Sequence, residues 1–428
     1  MANKIYNEKY IKNLADAIRE KTNKTNKLKV SQMGDEIREI SGVTGTDIAS
    51  LIERSVDNIS DACVSSIRDT AFYEYSILKS ANFPACTTIG NGAFGGCTKL
   101  ELANFPACTT IGNSAFSYCT SLTKINFPVC TSIGSWAFNG CRSLTKVNFP
   151  ACTSIGSAVL SGCSSLTEVS FPICTSIGSY AFNNCASLTS INFPVCETIG
   201  TAAFMACTSL TEVSFPICTT IGSNIFNNCS SLTKANFPVC TSIGSYTFSG
   251  CSSLTEVNFP TCTIISSYAF YNCTSLTEVS FPACITIGNS AFSNCTSLTS
   301  VNFPVCTSIG GSAFNNCTSL TEVNFPACVS ISNNAFYNCS SLTEANFPVC
   351  TRISYAAFYN CNSLVKLTLG SSSVVSLPYS ITFSNTPMSA SSYTGTFGSI
   401  YVPASLVDSY KIADNWSYYA DRITAIIE

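Results

Sequence analysis

The chain has 428 residues, a formal net charge of −3 and a sequence pI near 5.2. Only 11% of the residues are charged and histidine is absent, which argues against nucleic-acid binding because a phosphate-binding surface needs clustered lysine and arginine. No apolar run approaches the ~18 residues of a membrane span. The N-terminal sequence MANKIYNEKYIKNLADAIREK has no apolar secretory segment, so we expect no export by the usual signal.

Residues 1–43 form a separate, charge-rich segment. Ile11, Leu14 and Ile18 lie at helical spacing, and a shorter apolar stripe follows from residue 33. The sequence KYIKNLADAIREKTNKTNKLKVSQMGDEIREI is similar to N-terminal segments of phage tail and minor structural proteins. This resemblance implies that residues 1–43 attach the chain to other virion or tail proteins. The alternative is that they form only a helical cap.

Residues 44–80 are predicted to form a linker helix and a degenerate capping coil. Asp47 to Arg54 is amphipathic, and Phe72 and Leu78 fall on the register of the repeat that follows. Tyr75 stands where that repeat has its second cysteine. Terminal coils of a repeat array are expected to be atypical because they cover the core and face water.

A repeat of constant length fills residues 81–368. Phe-Pro recurs thirteen times at 22-residue intervals, from Phe83 to Phe347, with the consensus F-P-x-C-T-x-I-G-S-x-A-F-x-N-C-x-S-L-T-x-V-N. A fixed period of this length predicts a solenoid, and 22 residues lies in the leucine-rich range. No coil can bury its apolar face alone, so the coils must stack.

The first half of each coil reads as a strand. Leu122, Ile125 and Phe127 have the spacing L-x-x-L-x-L, and apolar and polar residues alternate in Lys-Ile-Asn-Phe. Pro128 ends the strand because it cannot donate to a ladder. Strands of successive coils are therefore predicted to stack as a parallel sheet.

The second half of each coil is predicted to be a short helical turn. Ser135 occupies a position that is Asn, Ser or Thr in eleven of thirteen copies, which is N-cap chemistry. Ala137, Phe138 and Cys141 then share one face. Gly140 lies in a column that is Gly or Asn in eleven of thirteen copies, as expected of a left-handed residue that closes a helix.

Three motifs carry a resemblance to a known family: AFxxC (Ala115, Phe116, Cys119), SLT (Ser121 to Thr123) and xxFP. Together they resemble the BspA-like leucine-rich repeat family over about residues 56–428. With the coil pattern, this implies an α/β-type leucine-rich repeat solenoid, with a parallel β-sheet on one face and short helical turns on the other. Residues 369–428 would form a C-terminal cap with a helix near Ala404 to Lys411. The family includes bacterial surface proteins, adhesins and phage virion proteins.

Twenty-six of the 27 cysteines recur every eleven residues, beginning with Cys86, Cys97, Cys108 and Cys119. Both columns fall at inward positions, where free cysteine packs well. A metal site needs a tighter cluster, and a catalytic cysteine needs a base such as histidine. Disulfides between adjacent coils stay open, although parallel Cβ vectors disfavour them. We expect a structural, reduced cysteine ladder, with no metal and no cofactor.

Two further columns are assigned structural roles. Asn104 and Asn126 project from the exposed strand face, where they either form a side-chain ladder or bond a sugar. Phe105 and Phe127 belong to the core. The neighbouring column mixes Lys and Glu, which is typical of a solvated face. The threonine columns are too interrupted for an ice-binding surface.

Seven aromatic residues on the turn side are the candidate binding site: Trp136, Tyr180, Tyr246, Tyr268, Tyr271, Tyr337 and Tyr359. They occur among Ser, Gly and Asn, and this mixture is typical of recognition surfaces, where rigid amphipathic rings adjoin adaptable polar groups. The alternative is sequence drift at unconstrained surface positions.

We therefore expect a non-enzymatic phage tail or virion protein, structural or receptor-binding, that presents a rigid surface to a bacterial surface glycan or protein. The alternative is a bacterial cell-surface or secreted BspA-like adhesin that binds host protein or glycan. An enzyme is disfavoured because the sequence offers no histidine, no paired acids and no phosphate loop. The oligomeric state is left open, a homo-oligomer included.

Overall fold

The structure is a computed structural model that describes residues 57–389 and 397–426. The predicted attachment segment 1–43 and the amphipathic stretch Asp47 to Arg54 lie outside the described residues. Within them, the chain winds as a succession of strand and turn segments with a 22-residue period. The predicted solenoid with a parallel sheet is confirmed.

Each coil contributes a three-residue strand in which the outer residues face solvent and the middle residue faces the core. These long strands are β1 Asn58–Ser60, β3 Ser80–Asn82, β5 Leu102–Asn104, β7 Lys124–Asn126, β9 Lys146–Asn148, β11 Glu168–Ser170, β13 Ser190–Asn192, β15 Glu212–Ser214, β17 Lys234–Asn236, β19 Glu256–Asn258, β21 Glu278–Ser280, β23 Ser300–Asn302, β25 Glu322–Asn324, β27 Glu344–Asn346 and β29 Lys366–Thr368. Their outward residues make up the strand face.

A second, two-residue strand follows the proline in each coil and was not predicted. These short strands are β2 Ser66–Ile67, β4 Thr88–Ile89, β6 Thr110–Ile111, β8 Ser132–Ile133, β10 Ser154–Ile155, β12 Ser176–Ile177, β14 Thr198–Ile199, β16 Thr220–Ile221, β18 Ser242–Ile243, β20 Ile264–Ile265, β22 Thr286–Ile287, β24 Ser308–Ile309, β26 Ser330–Ile331 and β28 Arg352–Ile353. Both sets pair in parallel with a constant 22-residue register, for example Ile125 with Ala103 and Ile133 with Ile111.

Two columns of stacked phenylalanine rings fill the core. In the column from the Phe-Pro motif, Phe105 and Phe127 stack with ring centroids 5.4 Å apart and an interplanar angle of 3°. In the column from the turn side, Phe116 and Phe138 stack at 5.2 Å and 1°. The two columns meet edge to face, as Phe116 and Phe127 do at 68°, an arrangement that aromatic quadrupoles favour.

The ladder of long strands is interrupted at four junctions, namely β7 to β9, β13 to β15, β19 to β21 and β23 to β25. Ring separations in the Phe-Pro column are largest at these same junctions, at 6.0, 6.3, 5.9 and 5.8 Å, against 5.2 to 5.7 Å elsewhere. Stacked rings therefore need more room than the ~4.8 Å spacing of paired strands. The mismatch accumulates over two to four coils and is released at a break.

The turn side of each coil is not helical, and this part of the predicted fold class is wrong. The coil from Gly178 to Cys185 is typical. The N–H groups of Tyr180, Phe182 and Asn184 donate to carbonyls of the next coil at N···O distances of 2.9, 2.7 and 2.8 Å. A helix would instead bond each N–H to the carbonyl four residues earlier in the same coil. We call this six-residue surface of successive β-turns, residues 179–184 in this coil, the turn face.

The predicted capping chemistry is present but serves a different purpose. Gly140 is left-handed as predicted, with φ 70°, yet it is the third residue of a β-turn, where type II turns require positive φ. The Ser135 hydroxyl accepts a hydrogen bond from the N–H of Ser157 in the next coil (3.2 Å), and the Ser135 N–H donates to Asn113 Oδ1 (2.8 Å). These polar side chains therefore join coils and do not start helices.

Both ends of the described array are covered by atypical residues. At the N-terminal end Phe72 stacks on Phe94 at 5.0 Å, and Tyr75 is buried at the position of the second cysteine. At the C-terminal end Phe383 continues the ring column by stacking on Phe358 at 5.6 Å. The Trp416 indole N–H donates to the Val375 carbonyl (2.7 Å).

Two further strands extend the sheet beyond β29 in the order β29-β30-β31, with β30 Ser399–Val402 and β31 Ile423–Ala425. The helix predicted near Ala404 to Lys411 is confirmed as a 3-10 turn, Ala404–Leu406, followed by α1, Val407–Ile412. Two more 3-10 helices are Ser380–Phe383 and Ser417–Arg422.

Candidate recognition site

Four of the predicted binding residues share one left-handed position on the turn face. Trp136, Tyr180, Tyr246 and Tyr268 have φ values of 62°, 59°, 58° and 60°. This conformation costs a non-glycine residue roughly 1 kcal/mol, and it persists only where the surroundings impose it. Here the bonds between coils impose it, so each ring projects from a fixed backbone.

The structure brings three tyrosines together on adjacent coils. Tyr246 and Tyr268 stack with ring centroids 4.6 Å apart and an interplanar angle of 3°, and Tyr271 meets Tyr268 edge to face at 5.7 Å and 69°. Tyr246 is 38% exposed, and the other two are half-buried. We call these three residues the tyrosine cluster. It presents a broad aromatic surface that is already packed on one side.

A second tyrosine pair lies further along the same face. Tyr337 and Tyr359 stack at 5.1 Å with an interplanar angle of 7°, and both are half-buried. They occupy the same position in the coil as Tyr271. The pair is three coils from the tyrosine cluster, which is about 15 Å at the ~4.8 Å spacing of parallel strands.

An asparagine ladder joins the cluster to the pair. It consists of Asn272, Asn294, Asn316 and Asn338, and the Nδ2 of each of the last three donates to the Oδ1 of the asparagine before it at 2.8 to 2.9 Å. All four residues have φ close to 60°. An amide has two N–H groups and two carbonyl lone pairs, so the ladder uses only part of its hydrogen-bonding capacity. Sequence reasoning missed these residues because their column was interpreted as helix-closing.

Trp136 and Tyr180 stand apart from these groups. Trp136 is 50% exposed and Tyr180 is 46% exposed. The coil of Ala158 separates them, and within the described residues neither makes a ring contact. They share the backbone geometry of the tyrosine cluster without its packing, so the seven predicted aromatic residues do not form one continuous surface.

Five exposed tyrosines were not predicted, namely Tyr118, Tyr355, Tyr379, Tyr73 and Tyr418. Tyr118 is 56% exposed and lies over Gly140, whose added Cβ would meet the Tyr118 ring at 2.8 Å. Tyr355 and Tyr379 meet edge to face at 5.4 Å. A signal existed for the first two, because Tyr118 departs from the Gly/Asn column and Tyr355 departs from the Ser/Thr/Asn column.

On the strand face, asparagines bond to one another along the sheet. Asn104 Nδ2 donates to Asn82 Oδ1 at 2.6 Å, and Asn126 Nδ2 donates to Asn104 Oδ1 at 2.7 Å. Lys146 and Glu168 form an ion pair at 2.9 Å, with both side chains more than half exposed. Such exposed pairs contribute little to stability. These columns act as bonds between coils.

The long-strand ladder breaks between β13 and β15 and the short-strand ladder breaks between β14 and β16, and a groove lies on the strand face at this junction. Its volume is about 700 Å³, and Asn192, Glu212 and Lys234 line it. The inward Ile191 is half-exposed here, as Ile125, Val257 and Val301 are at the other three breaks. The aromatic residue in its lining, Phe193, is buried, so the groove offers no exposed aromatic platform.

All 27 cysteines lie within the described residues, and each is a free thiol. Cys86, Cys97, Cys108 and Cys119 are buried; the first column donates to the carbonyl two residues on, as Cys108 does to Thr110 (3.3 Å). Cys119 donates to the Phe94 carbonyl of the preceding coil (3.1 Å). Burial raises the pKa of the Cys108 thiol to about 12, and the nearby Cys86 adds to the effect.

These thiols are poor candidates for chemistry. Burial, with a smaller effect of neighbouring cysteines, also raises the pKa of Cys119 well above its ordinary value, and the thiolate is the reactive form. Among the described residues no group of His, Cys, Asp or Glu is arranged to hold a metal ion. No helix in the same residues has the length and apolar character to cross a bilayer.

The stacked 22-residue coils, the L-x-x-L-x-L strands and the regular core define a leucine-rich repeat protein. The sequence profile of the BspA type leucine-rich repeat region matches residues 65–186, 175–286 and 263–390. The chain therefore belongs to the BspA type leucine-rich repeat family. None of the curated protein sequences matches the chain.

Solved leucine-rich repeat structures are similar to this chain. A leucine-rich repeat protein from Bacteroides ovatus is 25% identical, with 74% of this chain and 87% of that chain covered and a TM-score of 0.55. A leucine-rich cell surface protein from Faecalibacterium prausnitzii is 27% identical, with 74% and 88% of the two chains covered and a TM-score of 0.41.

Proposed function

We propose that this protein is a non-enzymatic recognition protein of a bacterial cell surface, and that its turn face binds an elongated glycan. The observation that carries the proposal is the stack of Tyr246 on Tyr268 with Tyr271 at its edge. A flat aromatic surface on a rigid backbone loses little conformational entropy when a ligand binds, because its rings are already ordered.

The neighbouring polar groups favour a sugar as the ligand. Binding sites combine apolar and aromatic surface with a few placed hydrogen-bonding groups. The asparagine ladder from Asn272 to Asn338 supplies both donors and acceptors beside the rings. It leads from the tyrosine cluster to the Tyr337–Tyr359 pair, so the surface suits a chain of several sugar units better than a single unit.

Membership in the BspA type family supports a location on the bacterial surface, since proteins of this family are typically found there. The alternative virion function rests on residues 1–43, which lie outside the described residues, and it stays a prediction. A bacterial surface adhesin for host glycans is therefore the function that we put forward. Recognition of host protein through the same surface would be a different outcome of the experiment below.

Binding of the purified chain to an immobilised glycan array tests the proposal. Tyr246→Ala and Tyr268→Ala are the informative variants, because Ala158 and Ala202 already occupy this backbone position with φ 54° and 55°. Removing a central aromatic anchor weakens binding by at least about tenfold. We expect that loss for both variants.

Tyr180→Ala is the matched control, because Tyr180 has the same backbone conformation and stands outside the tyrosine cluster. We expect it to bind glycans like the unaltered chain. Equal binding by all three variants would refute the assignment of the site. If the chain bound host surface proteins and no glycan, the proposed glycan ligand would be refuted. The proposal that the protein is an adhesin would still stand.

A further inference from the structure

One side of the solenoid is almost without charge over its whole length. Around its buried first cysteine each coil places four exposed or partly exposed residues, namely the proline, the residue after it and the two residues after the cysteine, as in Pro84, Ala85, Thr87 and Thr88. We call this surface, from Pro84–Thr88 to Pro348–Arg352, the uncharged flank. Across thirteen coils it carries only two charged residues, Glu197 and Arg352.

The uncharged flank also concentrates exposed aliphatic side chains. Ten of the thirteen large aliphatic residues that are exposed in the described part of the chain lie on it: Val129, Ile173, Val195, Ile217, Val239, Ile264, Ile285, Val305, Val329 and Val349, each between 38% and 48% exposed. Exposed aliphatic side chains follow one another here in nine successive coils, from Ile173 to Val349, and clustered exposed apolar surface of this kind marks interaction sites. The pattern indicates that another molecule covers the flank.

The threonines on the flank are already prepared for burial. In eight coils the Thr Oγ1 after the cysteine donates to a backbone carbonyl of the preceding coil at 3.1 to 3.3 Å, as Thr109 does to Thr87. The hydroxyl proton is therefore satisfied within the chain. Covering these threonines removes methyl groups from water and leaves no hydroxyl donor unpaired. The usual cost of burying a hydroxyl, an unpaired donor, is therefore avoided.

We propose that the occupant of the uncharged flank is a second copy of this chain, packed face to face about a two-fold axis. In such a contact the same patch serves both partners, and identical coil spacing lets each coil of one copy meet a coil of the other. The flank is about 60 Å long and about 15 Å wide, from the ~4.8 Å strand spacing and the ~3.3 Å rise per residue. That area of about 900 Å² is above the ~800 Å² per partner of a stable interface.

Charge disfavours the strand face for the same contact. The outward column there carries both Lys and Glu, for example Lys146, Glu168 and Glu212, and burying such charges in a contact costs desolvation free energy. The uncharged flank has no such penalty, although the chain carries a net charge of −3. The proposal does not depend on the glycan site, because the flank and the turn face are different surfaces of the coil.

Sedimentation velocity of the full chain over a range of concentrations tests the proposal. We expect a dimer. The variant Ile173→Glu with Ile217→Glu places charges in the centre of the flank and should sediment as a monomer at the same concentrations. Thr175→Glu, which repeats in the adjacent coil the charge of Glu197, is a second interface variant and should shift the equilibrium toward monomer. Circular dichroism melting shows whether each variant is folded.

Ser190→Glu is the matched control. It adds the same charge to the strand face, in a column where Glu168 and Glu212 occur naturally, and we expect it to remain dimeric. A monomeric unaltered chain at the highest concentration reached would overturn the proposal. So would a dimer that all the flank variants leave intact, since that dimer would form through another surface.

Discussion

Phe193 and Phe215 stack with ring centroids 6.3 Å apart, the widest step in their column. At this junction the long-strand ladder breaks between β13 and β15 and the short-strand ladder breaks between β14 and β16. A Cβ added to Gly222 would come no closer than 3.7 Å to the preceding coil, whereas at Gly200 and Gly244 it would come within 2.4 and 2.5 Å. The coils are therefore further apart here than elsewhere in the described array.

This junction should exchange amide hydrogens faster than its neighbours. The N–H groups of Gly200 and Gly244 donate to the preceding coil at 2.8 Å, and the described residues contain no such bond from Gly222. Local opening needs less free energy where fewer bonds must break. In hydrogen-exchange mass spectrometry we expect peptides covering 211–222 to lose protection before peptides covering 233–244.

The second peptide is an internal control, since it covers the same coil positions one repeat later. Equal protection of the two peptides would show that the ladders are continuous in solution.

The sequence predicted the coils well, because the regular spacing of their inward residues is itself set by the stacking of the coils. Leu122, Ile125 and Phe127 repeat at a spacing that only a stacked strand satisfies. The turn face was predicted wrongly for a physical reason. Ala137, Phe138 and Cys141 face inward in a helical turn and also in successive β-turns, and the two differ only in where the N–H groups donate. The acceptor of each of these N–H groups lies in the next coil, so a pattern within one coil cannot reveal it.

The candidate site was predicted only in part. Its residue types follow from the sequence, since Tyr246, Tyr268 and Tyr271 lie at positions left after the core is assigned. Their grouping depends on which coils stack side by side and on the left-handed backbone that orients the rings. The ladder breaks could not be predicted at all, because they arise from a spacing mismatch of a fraction of an ångström that accumulates over several coils.

The buried thiols should be unreactive in the folded chain. With iodoacetamide at pH 8 we expect modification of Cys63 alone, which is the exposed cysteine, because the thiolate is the nucleophile and the other thiols are buried. All 27 cysteines should react in denaturant. Intact-mass spectrometry counts the adducts, and a denatured chain with fewer than 27 would reveal disulfides.

The same thiols should make stability fall at high pH. Burial raises the pKa of Cys108 and Cys130 to about 12, above the ordinary value of 9.0. Above pH 9 the unfolded chain loses these protons and the folded chain keeps them, so the free energy of unfolding decreases as pH rises. The urea concentration at the midpoint of unfolding should be independent of pH below pH 8 and should decrease between pH 9 and 12. A midpoint that stays constant through this range would contradict the assignment.

Removing one rung of the asparagine column on the strand face should cost a modest amount of stability. In the chain, Asn126 donates to Asn104 at 2.7 Å. Asn126→Ala removes that bond and should lower the free energy of unfolding by about 1 kcal/mol, the usual net value of a hydrogen bond. Asn148→Ala is the control, because Asn148 has the same strand position one coil later, beyond the ladder break between β7 and β9, and among the described residues it donates no side-chain hydrogen bond to Asn126. Equal losses for the two variants would show that the bond contributes nothing.

One coil suggests how the core keeps its volume. At the Ala-Phe position, where other coils have pairs such as Ala115 and Phe116, this coil has Val159 and Leu160, and all four residues are fully buried. The valine supplies volume that the leucine lacks. Phe116→Leu alone should leave a cavity and destabilise the chain by about 1 to 2 kcal/mol, and Ala115→Val alone should overpack the core by a similar amount.

Combined in one chain, the two changes should largely cancel. Volume-conserving substitutions in a core usually cost less than about 1.5 kcal/mol, so we expect a coupling energy of at least about 1 kcal/mol between neighbours that share a cavity. A double-mutant cycle measured by urea unfolding gives this value. Additive losses would mean that Val159 and Leu160 do not compensate each other and that the backbone of their coil has adjusted. The cancellation would show that these two positions exchange volume with each other, as they do where Val159 and Leu160 stand in place of alanine and phenylalanine.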